Sequence, residues 1–335
     1  MSSTEVGIPE WADDPDEGGA DASVVAMLPA PPPPLGERRT EDDADAEPGR
    51  APGRAPLSTG FVVAVSALAT VSVLALWAAV FALVLSPVQE HRSQHVLHAT
   101  LREQFALQTS PIGGTIAAGA PIGSIDIPTA GVHDLVFIEG TTSGELEQGP
   151  GHRRDSPLPG QPGVSVLMGR SVLFGAPFGR VARLRAGDVI SVTTGQGTFT
   201  YQVDGVRRAG DPVPAAPTGD GGSLILVTSE AAPGAGGRWT RQAVFVDATL
   251  RSPSQPATGD RPTVLTAAET PMSGNPSALT ALVGWLLALV VAAVALAWSR
   301  ARWGRTQSLL VGIPVVVALA WLITQTASQL LPNLH

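Results

Sequence analysis

The sequence predicts a mainly β domain that is attached to a membrane by α-helices. Between residues 118 and 251 the chain consists of short β-rich runs separated by glycine and proline, which is typical of a barrel or a sandwich. Three long apolar runs flank this region, one before it and two after it. The predicted strands are residues 123–127, 134–138, 163–168, 188–193, 198–203, 223–228 and 243–250, with short helices at 144–148 and 177–184.

The composition excludes several classes of protein and site. The chain has 335 residues and a net charge of -8, and all of its basic residues are arginine. It contains no cysteine, which excludes disulfides, thiol nucleophiles and zinc–thiolate sites. The charge beyond the first fifty residues is close to neutral, so there is no basic stripe of the kind that binds nucleic acid. We therefore expect neither a nucleic-acid partner nor a cofactor.

Residues 1–57 are predicted to be a disordered, cytoplasmic tail. They combine acidic clusters with the four prolines of 31–34 and contain little apolar material to bury. A short apolar patch at 24–28 is the place to look for a binding motif, although a solvated leader is the favoured interpretation.

Residues 60–85, 279–298 and 309–327 are the three predicted membrane helices. Each is uncharged and long enough to cross a bilayer. A cleaved signal peptide is disfavoured, because the leader is too long and no small-residue cleavage site closes the first run. Arginine collects on cytoplasmic flanks, and the clusters here are Arg38, Arg39, Arg50 and Arg54, and Arg300, Arg302 and Arg305. They predict a cytoplasmic N-terminus and an extracellular region between the first two spans.

A helix that carries three histidines is predicted just outside the first span. Residues 87–117 read as a juxtamembrane helix, over 87–108, followed by a linker. His91, His95 and His98 lie on one helix face and have a spacing that can hold a metal ion. No carboxylate shares that stripe, so a solvated or subunit-facing helix is favoured. After the β-rich region, residues 252–277 are predicted to be a second linker.

Four segments of the β-rich region resemble the sortases, the membrane-anchored cysteine transpeptidases of Gram-positive bacteria. The segments are residues 125–132 (IDIPTAGV), 149–184 (GPGHRRDSPLPGQPGVSVLMGRSVLFGAPFGRVARL), 223–230 (SLILVTSE) and 240–250 (TRQAVFVDATL). The resemblance implies a closed β-barrel of about eight strands with short helices over residues 118–251, facing the cell exterior. With the absence of lysine, which indicates a GC-rich genome, it points to an actinobacterial source.

The chain departs from the sortase pattern at two of the three residues that carry the family's chemistry. Arg170 stands where a sortase has its catalytic histidine, and Ser229 stands where the family has its cysteine nucleophile. The third residue, an arginine that steadies the oxyanion, is matched by Arg241, with Arg238 as a less well-aligned choice.

These replacements predict a loss of catalysis. A serine hydroxyl needs an adjacent base, usually histidine, whereas arginine stays protonated and cannot cycle a proton. We expect Arg170 to pair with Glu230 or another carboxylate and fill the former active site. The alternative is a small anion pocket formed by Arg170 and Arg241. His133 and His152 are the histidines of the domain, and His152 matches a structural turn of the family rather than a substitute base.

Three functions remain open at this point. The favoured one is an inactive pseudo-sortase that serves as an extracellular binding or scaffold subunit of a membrane or cell-surface assembly. Its partners would be other membrane or surface proteins, including an active sortase or its substrate. The second is a slow serine acyl transferase or hydrolase that uses Ser229. The third is a structural module of a transport or secretion complex, and fold analogy does not separate these functions.

Overall fold

A computed structural model describes residues 68, 72–73, 75–232, 241–303 and 305–334. The predicted tail at 1–57, residues 60–67, 69–71 and 74 of the first predicted span, and Arg238 lie outside the described residues. The described part comprises a β-barrel, a helix that precedes it and a helical hairpin that follows it.

Eight strands close into the barrel. They are β1 (Pro121–Ile127), β2 (Val132–Glu139), β3 (Gly151–His152), β4 (Gly163–Met168), β5 (Val189–Thr194), β6 (Gly197–Arg208), β7 (Gly222–Ala231) and β8 (Arg241–Leu250). Their order around the barrel is β1-β2-β3-β4-β7-β8-β6-β5, and β5 pairs with β1 to close it. The β2–β3 and β4–β7 pairs are parallel, whereas the other neighbours are antiparallel.

Apolar side chains that alternate along the strands fill the barrel. In β5, Ile190 and Val192 are buried whereas Val189 is exposed, as the two-residue period of a strand requires. The one polar atom of the buried Tyr201 ring is satisfied, because its hydroxyl accepts a hydrogen bond of 2.6 Å from the N–H of Gly160. The interior is therefore a packed core rather than a channel.

The predicted mainly β, closed-barrel fold is confirmed. Seven of the strands coincide with predicted runs, and the eighth, β3, has only two residues, too few for any periodicity to show. The predicted short helices at 144–148 and 177–184 are present as the 3₁₀ turns Glu145–Glu147 and Val181–Arg183. Two further 3₁₀ turns are Pro128–Ala130 and Ala267–Glu269.

A continuous helical stretch leads from residue 75 to the barrel. Its last part, α1 (Ser86–Leu107), matches the predicted juxtamembrane helix and follows a π-helical turn at Phe81–Leu85. The N–H of Ser86 bonds to the carbonyl of Phe81, five residues earlier. Pro87 explains this wider turn, because it lacks an N–H and its ring crowds the carbonyl four residues before it.

Helix α1 packs against β2 of the barrel. Leu97 and Leu101 are buried together with Val136 and Ile138. The side-chain amide of Gln94 bonds to both backbone groups of Val136, donating to its carbonyl at 3.0 Å and accepting from its N–H at 2.9 Å. This amide occupies the place that one residue of a neighbouring strand would take, so it ties the helix to the sheet.

Helices α2 (Ala278–Trp303) and α3 (Arg305–Ser328) form a hairpin after the barrel. Among the described residues, these are the two helices long and apolar enough to cross a membrane, over Ala278–Leu296 and Leu310–Ser328. The N–H of Asn275 donates to the carbonyl of Gln329 at 2.9 Å, so the two open ends of the hairpin lie side by side.

The described residues of the first predicted span pack against this hairpin. The ring of Phe81 meets Trp321 edge-on with 5.9 Å between centroids, and the Trp77 indole N–H donates to the hydroxyl of Thr324 at 2.8 Å. Residues 75–85 thus form a cluster with α3. The number of membrane spans stays a prediction, because residues 60–67, 69–71 and 74 lie outside the described part of the chain.

The segment predicted as a linker, residues 252–277, is bound along the barrel. The guanidinium of Arg261 lies 2.5 Å from the carboxylate of Glu139, and the N–H of Gln255 donates to the carbonyl of Gly160 at 2.8 Å. Its one element of regular structure is the 3₁₀ turn at Ala267–Glu269. The two contacts of Arg261 and Gln255 join residues more than ninety positions apart, and composition carries no signal for them.

Candidate functional site

The residues that we predicted to match the sortase triad meet at one end of the barrel. Because β4 and β7 are parallel neighbours, Arg170 and Ser171, which follow β4, lie beside the end of β7 that carries Ser229. β8 runs antiparallel to β7 and begins at Arg241, which places this arginine at the same end. Strand pairing alone therefore assembles the site.

Ser229 lies in a polar network and is only 3% exposed. The Nε of Arg241 donates to its hydroxyl at 3.0 Å, and the Nη2 donates to its backbone carbonyl at 2.8 Å. Ser171 Oγ lies 2.7 Å from Ser229 Oγ and accepts a bond of 2.8 Å from the same Nη2. Burial lowers the pKa of the Arg241 guanidinium. Two hydroxyls thus share one cation.

Residues 329–334, which follow α3, also enter this network. The carbonyl of Leu334 accepts hydrogen bonds from the hydroxyl of Ser229 at 2.8 Å and from the hydroxyl and N–H of Ser171 at 3.0 and 3.1 Å. The Leu334 side chain is fully buried and packs in one cluster with Leu146 and Met168. The sequence did not predict this contact, because nothing in the composition of 329–334 marks it as part of a site.

Arg170 is fully buried beside the network. Its Nη2 donates to the carbonyl of Ser143 at 2.9 Å and lies 3.9 Å from the carboxylate of Glu147. Its guanidinium sits over the ring of Phe174, 4.9 Å from the centroid. Burial lowers the pKa of Arg170 to about 10, and burial raises the pKa of Glu147. Arg170 therefore remains a cation at neutral pH.

The predicted pairing of Arg170 with Glu230 is wrong, and the alternative of another carboxylate is the one observed. Glu230 instead binds the guanidinium of Arg208, at 2.5 and 3.1 Å. That hydrogen bonding lowers the pKa of the Glu230 carboxyl. The reason is the alternation of β7, in which Ser229 and Glu230 face opposite sides of the strand. Glu147, in the loop before β3, was not singled out from the sequence.

Comparison with known proteins identifies the barrel. Residues 125–249 match the family model described as "Sortase domain". The barrel is therefore similar to a sortase domain over nearly all of its strands. Sortase D of Bacillus subtilis (strain 168) is 34% identical to the chain over 85 residues, which make up 25% of this chain and 41% of that protein. The match thus spans less than half the length of that relative.

Solved structures similar to the chain are also sortases. A Clostridium perfringens Sortase D5 transpeptidase is 24% identical, with a TM-score of 0.38, and the match covers 49% of this chain and 99% of that one. Sortase E from Streptomyces avermitilis is 25% identical, with a TM-score of 0.34, 41% of this chain and 91% of that one being covered. A lid mutant of sortase A from Corynebacterium diphtheriae is 26% identical, with a TM-score of 0.34, and the match covers 47% of this chain and 95% of that one.

The histidines of the sortase domain lie away from the network at Ser229. His152 is fully buried, and its Nδ1 lies 3.0 Å from the Glu139 carboxylate. Its Nε2 lies 2.9 Å from the carbonyl of Pro157 and 3.2 Å from the hydroxyl of Ser156. That hydroxyl donates in turn to a backbone carbonyl at 2.8 Å. Ser156, His152 and Glu139 are therefore in contact in the order of a catalytic triad. The serine and histidine side chains are bonded to backbone groups, however, and all three side chains are buried from solvent.

His133 is exposed and lines a different cavity. This cavity of about 730 Å³ lies between α1 and the barrel and is also lined by Glu90 and Arg180. Burial raises the pKa of Glu90 to about 7. Within the described part of the chain, no histidine or carboxylate is hydrogen-bonded to Ser229.

The three histidines of α1 do not converge on one point. The Nε2 atoms of His91 and His95 lie 3.0 Å apart, whereas His98 faces the carboxylate of Asp134 at 3.7 Å. Across the described ranges, no group of three or more histidine, cysteine, aspartate or glutamate side chains has an arrangement that could hold a metal ion.

Proposed function

We propose that this protein is a pseudo-sortase, whose sortase domain has lost transpeptidase activity and acts as a binding or scaffold subunit of a membrane assembly. The observation that carries the proposal is the surroundings of Ser229. The hydroxyl is held by the half-buried cation of Arg241 and by the Leu334 carbonyl, and the nearby Arg170 is a second cation that is fully buried.

The chemistry follows from proton transfer. To attack a carbonyl carbon, the serine must give its proton to a base and later return one to the leaving group. Among the described residues, the groups hydrogen-bonded to the Ser229 hydroxyl are a guanidinium, a hydroxyl and a carbonyl, and none of these accepts a proton near neutral pH. Arg170, with a pKa of about 10, is no substitute for histidine at pH 7.

A scaffold role agrees with how the domain is built into the rest of the chain. Helix α1 is fixed to β2 through Gln94, and the hydroxyl of Ser328, at the end of α3, donates to the carboxylate of Glu147 at 2.7 Å. The sortase domain and the apolar hairpin are thus joined at several points. Partners would be other membrane or cell-surface proteins, among them an active sortase or its substrate.

We infer an extracellular position for the sortase domain from the arginine distribution. The cluster Arg300, Arg302 and Arg305 falls where α2 gives way to α3, at the far end of the hairpin from Asn275 and Gln329. Arginine on cytoplasmic flanks then puts the open end of the hairpin, and the domain beside it, outside the cell.

The test is mass spectrometry of the full-length protein gently purified from its own membrane. We expect an unmodified Ser229 and other membrane proteins in fixed ratio to the chain. The Ser229→Ala variant is the matched control, because it should retain the same set of proteins. An ester-linked peptide on Ser229 that is absent from this variant would overturn the proposal.

One observation favours a second candidate function. Arg241 keeps a bond of 3.0 Å to the Ser229 hydroxyl, which is the position of an oxyanion-stabilising group in the family this domain matches. Slow serine-based acyl transfer or hydrolysis would use that contact with a base from outside the described residues. The ester adduct described above is the result that would establish it.

A further inference from the structure

The 329–334 segment lies across the barrel end that carries Ser229. We propose that it is the resident ligand of a peptide-binding cleft in this sortase domain, bound within the same chain and displaced when a partner peptide enters. The cleft is formed by Ser171, Ser229 and Arg241 together with the loop around Thr141. This inference rests on the proposed function, because it assigns an occupant to the site whose catalysis is proposed to be lost.

The first support is the way the cleft binds a backbone carbonyl. Three donors from the barrel, the two hydroxyls and the N–H of Ser171, point at the carbonyl of Leu334. Arg241 orients both hydroxyls from behind. Donors gathered around a single main-chain acceptor recognise an extended peptide irrespective of its side chain.

The second support is a pair of buried side chains. Asn333 is fully buried, and its Nδ2 donates to the carbonyls of Thr141 and Thr270, both at 2.9 Å. Its N–H donates to the carbonyl of Ser273 at 2.8 Å. Leu334 fills an apolar site, whereas Leu331, two residues before Asn333, is 42% exposed. The cleft therefore selects an amide side chain followed by an apolar one.

The third support is the tether. The segment follows directly on α3, whose end is held beside the barrel by the bond between Ser328 and Glu147. A tethered ligand of this kind has an effective concentration on the order of millimolar. A free peptide with the same contacts would compete poorly against the intact chain and would bind well once the segment is weakened.

The test is hydrogen exchange of the full-length protein in lipid nanodiscs, read at single residues by fragmentation in the mass spectrometer. The reporter is the N–H of Ser171, which donates to Leu334. The internal control is the N–H of Gly169, two residues away, which donates to Val227 within the barrel at 3.0 Å. Exchange at both positions is compared between the parent and variants of the segment.

We expect Asn333→Ala to raise exchange at Ser171 at least tenfold while Gly169 is unchanged. The matched control is Gln329→Ala. It removes a side-chain amide of the same segment, one that donates to none of the described residues, and it should leave exchange at Ser171 and Gly169 unchanged. A second variant replaces 331–334 by Gly-Ser-Gly-Ser and should expose Ser171 fully. Unchanged protection of Ser171 in both segment variants would overturn the proposal.

A synthetic peptide, Gln-Leu-Leu-Pro-Asn-Leu, separates a binding cleft from mere packing. At millimolar concentration it should restore the protection of Ser171 in the Gly-Ser variant at least fivefold, whereas the same peptide with alanine for asparagine should not. Failure of both peptides would overturn the binding site. An ester adduct on Ser229 with Ser171 protected as expected would instead overturn only the loss of catalysis.

Discussion

The barrel contains two polar clusters that each include a serine but differ in their other members and in their position. One, around His152, has a serine, a histidine and a carboxylate in contact, yet every member is buried and bonded to backbone or to Arg261. The other, around Ser229, contains the positions that we predicted to match the sortase triad, with Arg170 where the resemblance implies a histidine. A serine, a histidine and a carboxylate in contact therefore do not by themselves make a catalytic site. Catalysis also requires that the groups reach the substrate and that one of them can accept and return a proton.

The clusters also differ in how their charges are compensated. In the His152 cluster, Arg261 lies 2.5 Å from the fully buried Glu139. In the Ser229 region, Arg170 lies 3.9 Å from Glu147, whose carboxyl has a pKa raised by burial and can become neutral. The first cluster depends on a fixed ion pair, whereas the second tolerates a change of protonation.

The largest loss of stability is expected from breaking the ion pair between Arg261 and Glu139. Arg261→Met leaves the Glu139 carboxylate buried beside His152 without its guanidinium, and it releases the 252–277 segment from the barrel. Loss of one partner of a buried pair lowers the free energy of unfolding by about 3–5 kcal/mol. Urea unfolding measures it, with Arg251→Met, a more exposed arginine of the same region, as the control. Equal losses in the two variants would contradict this account.

Arg170→Met should cost less, about 1–3 kcal/mol, because methionine still packs on Phe174 and Glu147 can take up a proton. The loss should also depend on pH. A protonated Glu147 leaves no buried charge, so the destabilisation should be smaller at pH 5 than at pH 8. Unfolding curves at both pH values decide it, and a loss independent of pH would show that Glu147 does not compensate.

A smaller change in stability, and one that depends on pH, should come from Glu90 in the cavity between α1 and the barrel. Burial raises its folded pKa from 4.5 to about 7, so the folded state binds more protons than the unfolded state in that range. The contribution of this group is present below about pH 4.5 and is lost as the pH rises through 7. Glu90→Gln should remove this decline, which thermal unfolding between pH 5 and 7.5 would detect as a flatter profile.

The smallest effect is expected at Glu230, although it adjoins Ser229 in sequence. Its pair with Arg208 is solvent-exposed, and exposed ion pairs contribute little. Glu230→Gln should leave the unfolding midpoint unchanged within error and should leave Ser171 protected in hydrogen exchange. A loss comparable to that of Arg170→Met would mean that Glu230, rather than Glu147, balances the charge of the site.

Which features could be predicted from the sequence depends on how far apart in the chain the interacting residues lie. The strands, α1 and the approach of Ser229 to Arg241 follow from local alternation and from the resemblance to sortases, and all are present. β3 escaped because two residues carry no period. The partner of Arg170 and the contact of Leu334 escaped for another reason. They join segments 23 and 105 positions apart, whose meeting depends on the folded chain.

The amide of Gln94 restricts how helix α1 can move relative to the barrel. It satisfies both backbone groups of Val136 from the surface of α1, a helix that continues toward the apolar cluster around Phe81 and Trp321. Sliding α1 by one residue, about 1.5 Å along its axis and roughly 100° around it, would leave a buried N–H and a buried carbonyl without partners. A tilt or rotation of that helix must therefore be passed on to the barrel as a rigid-body displacement.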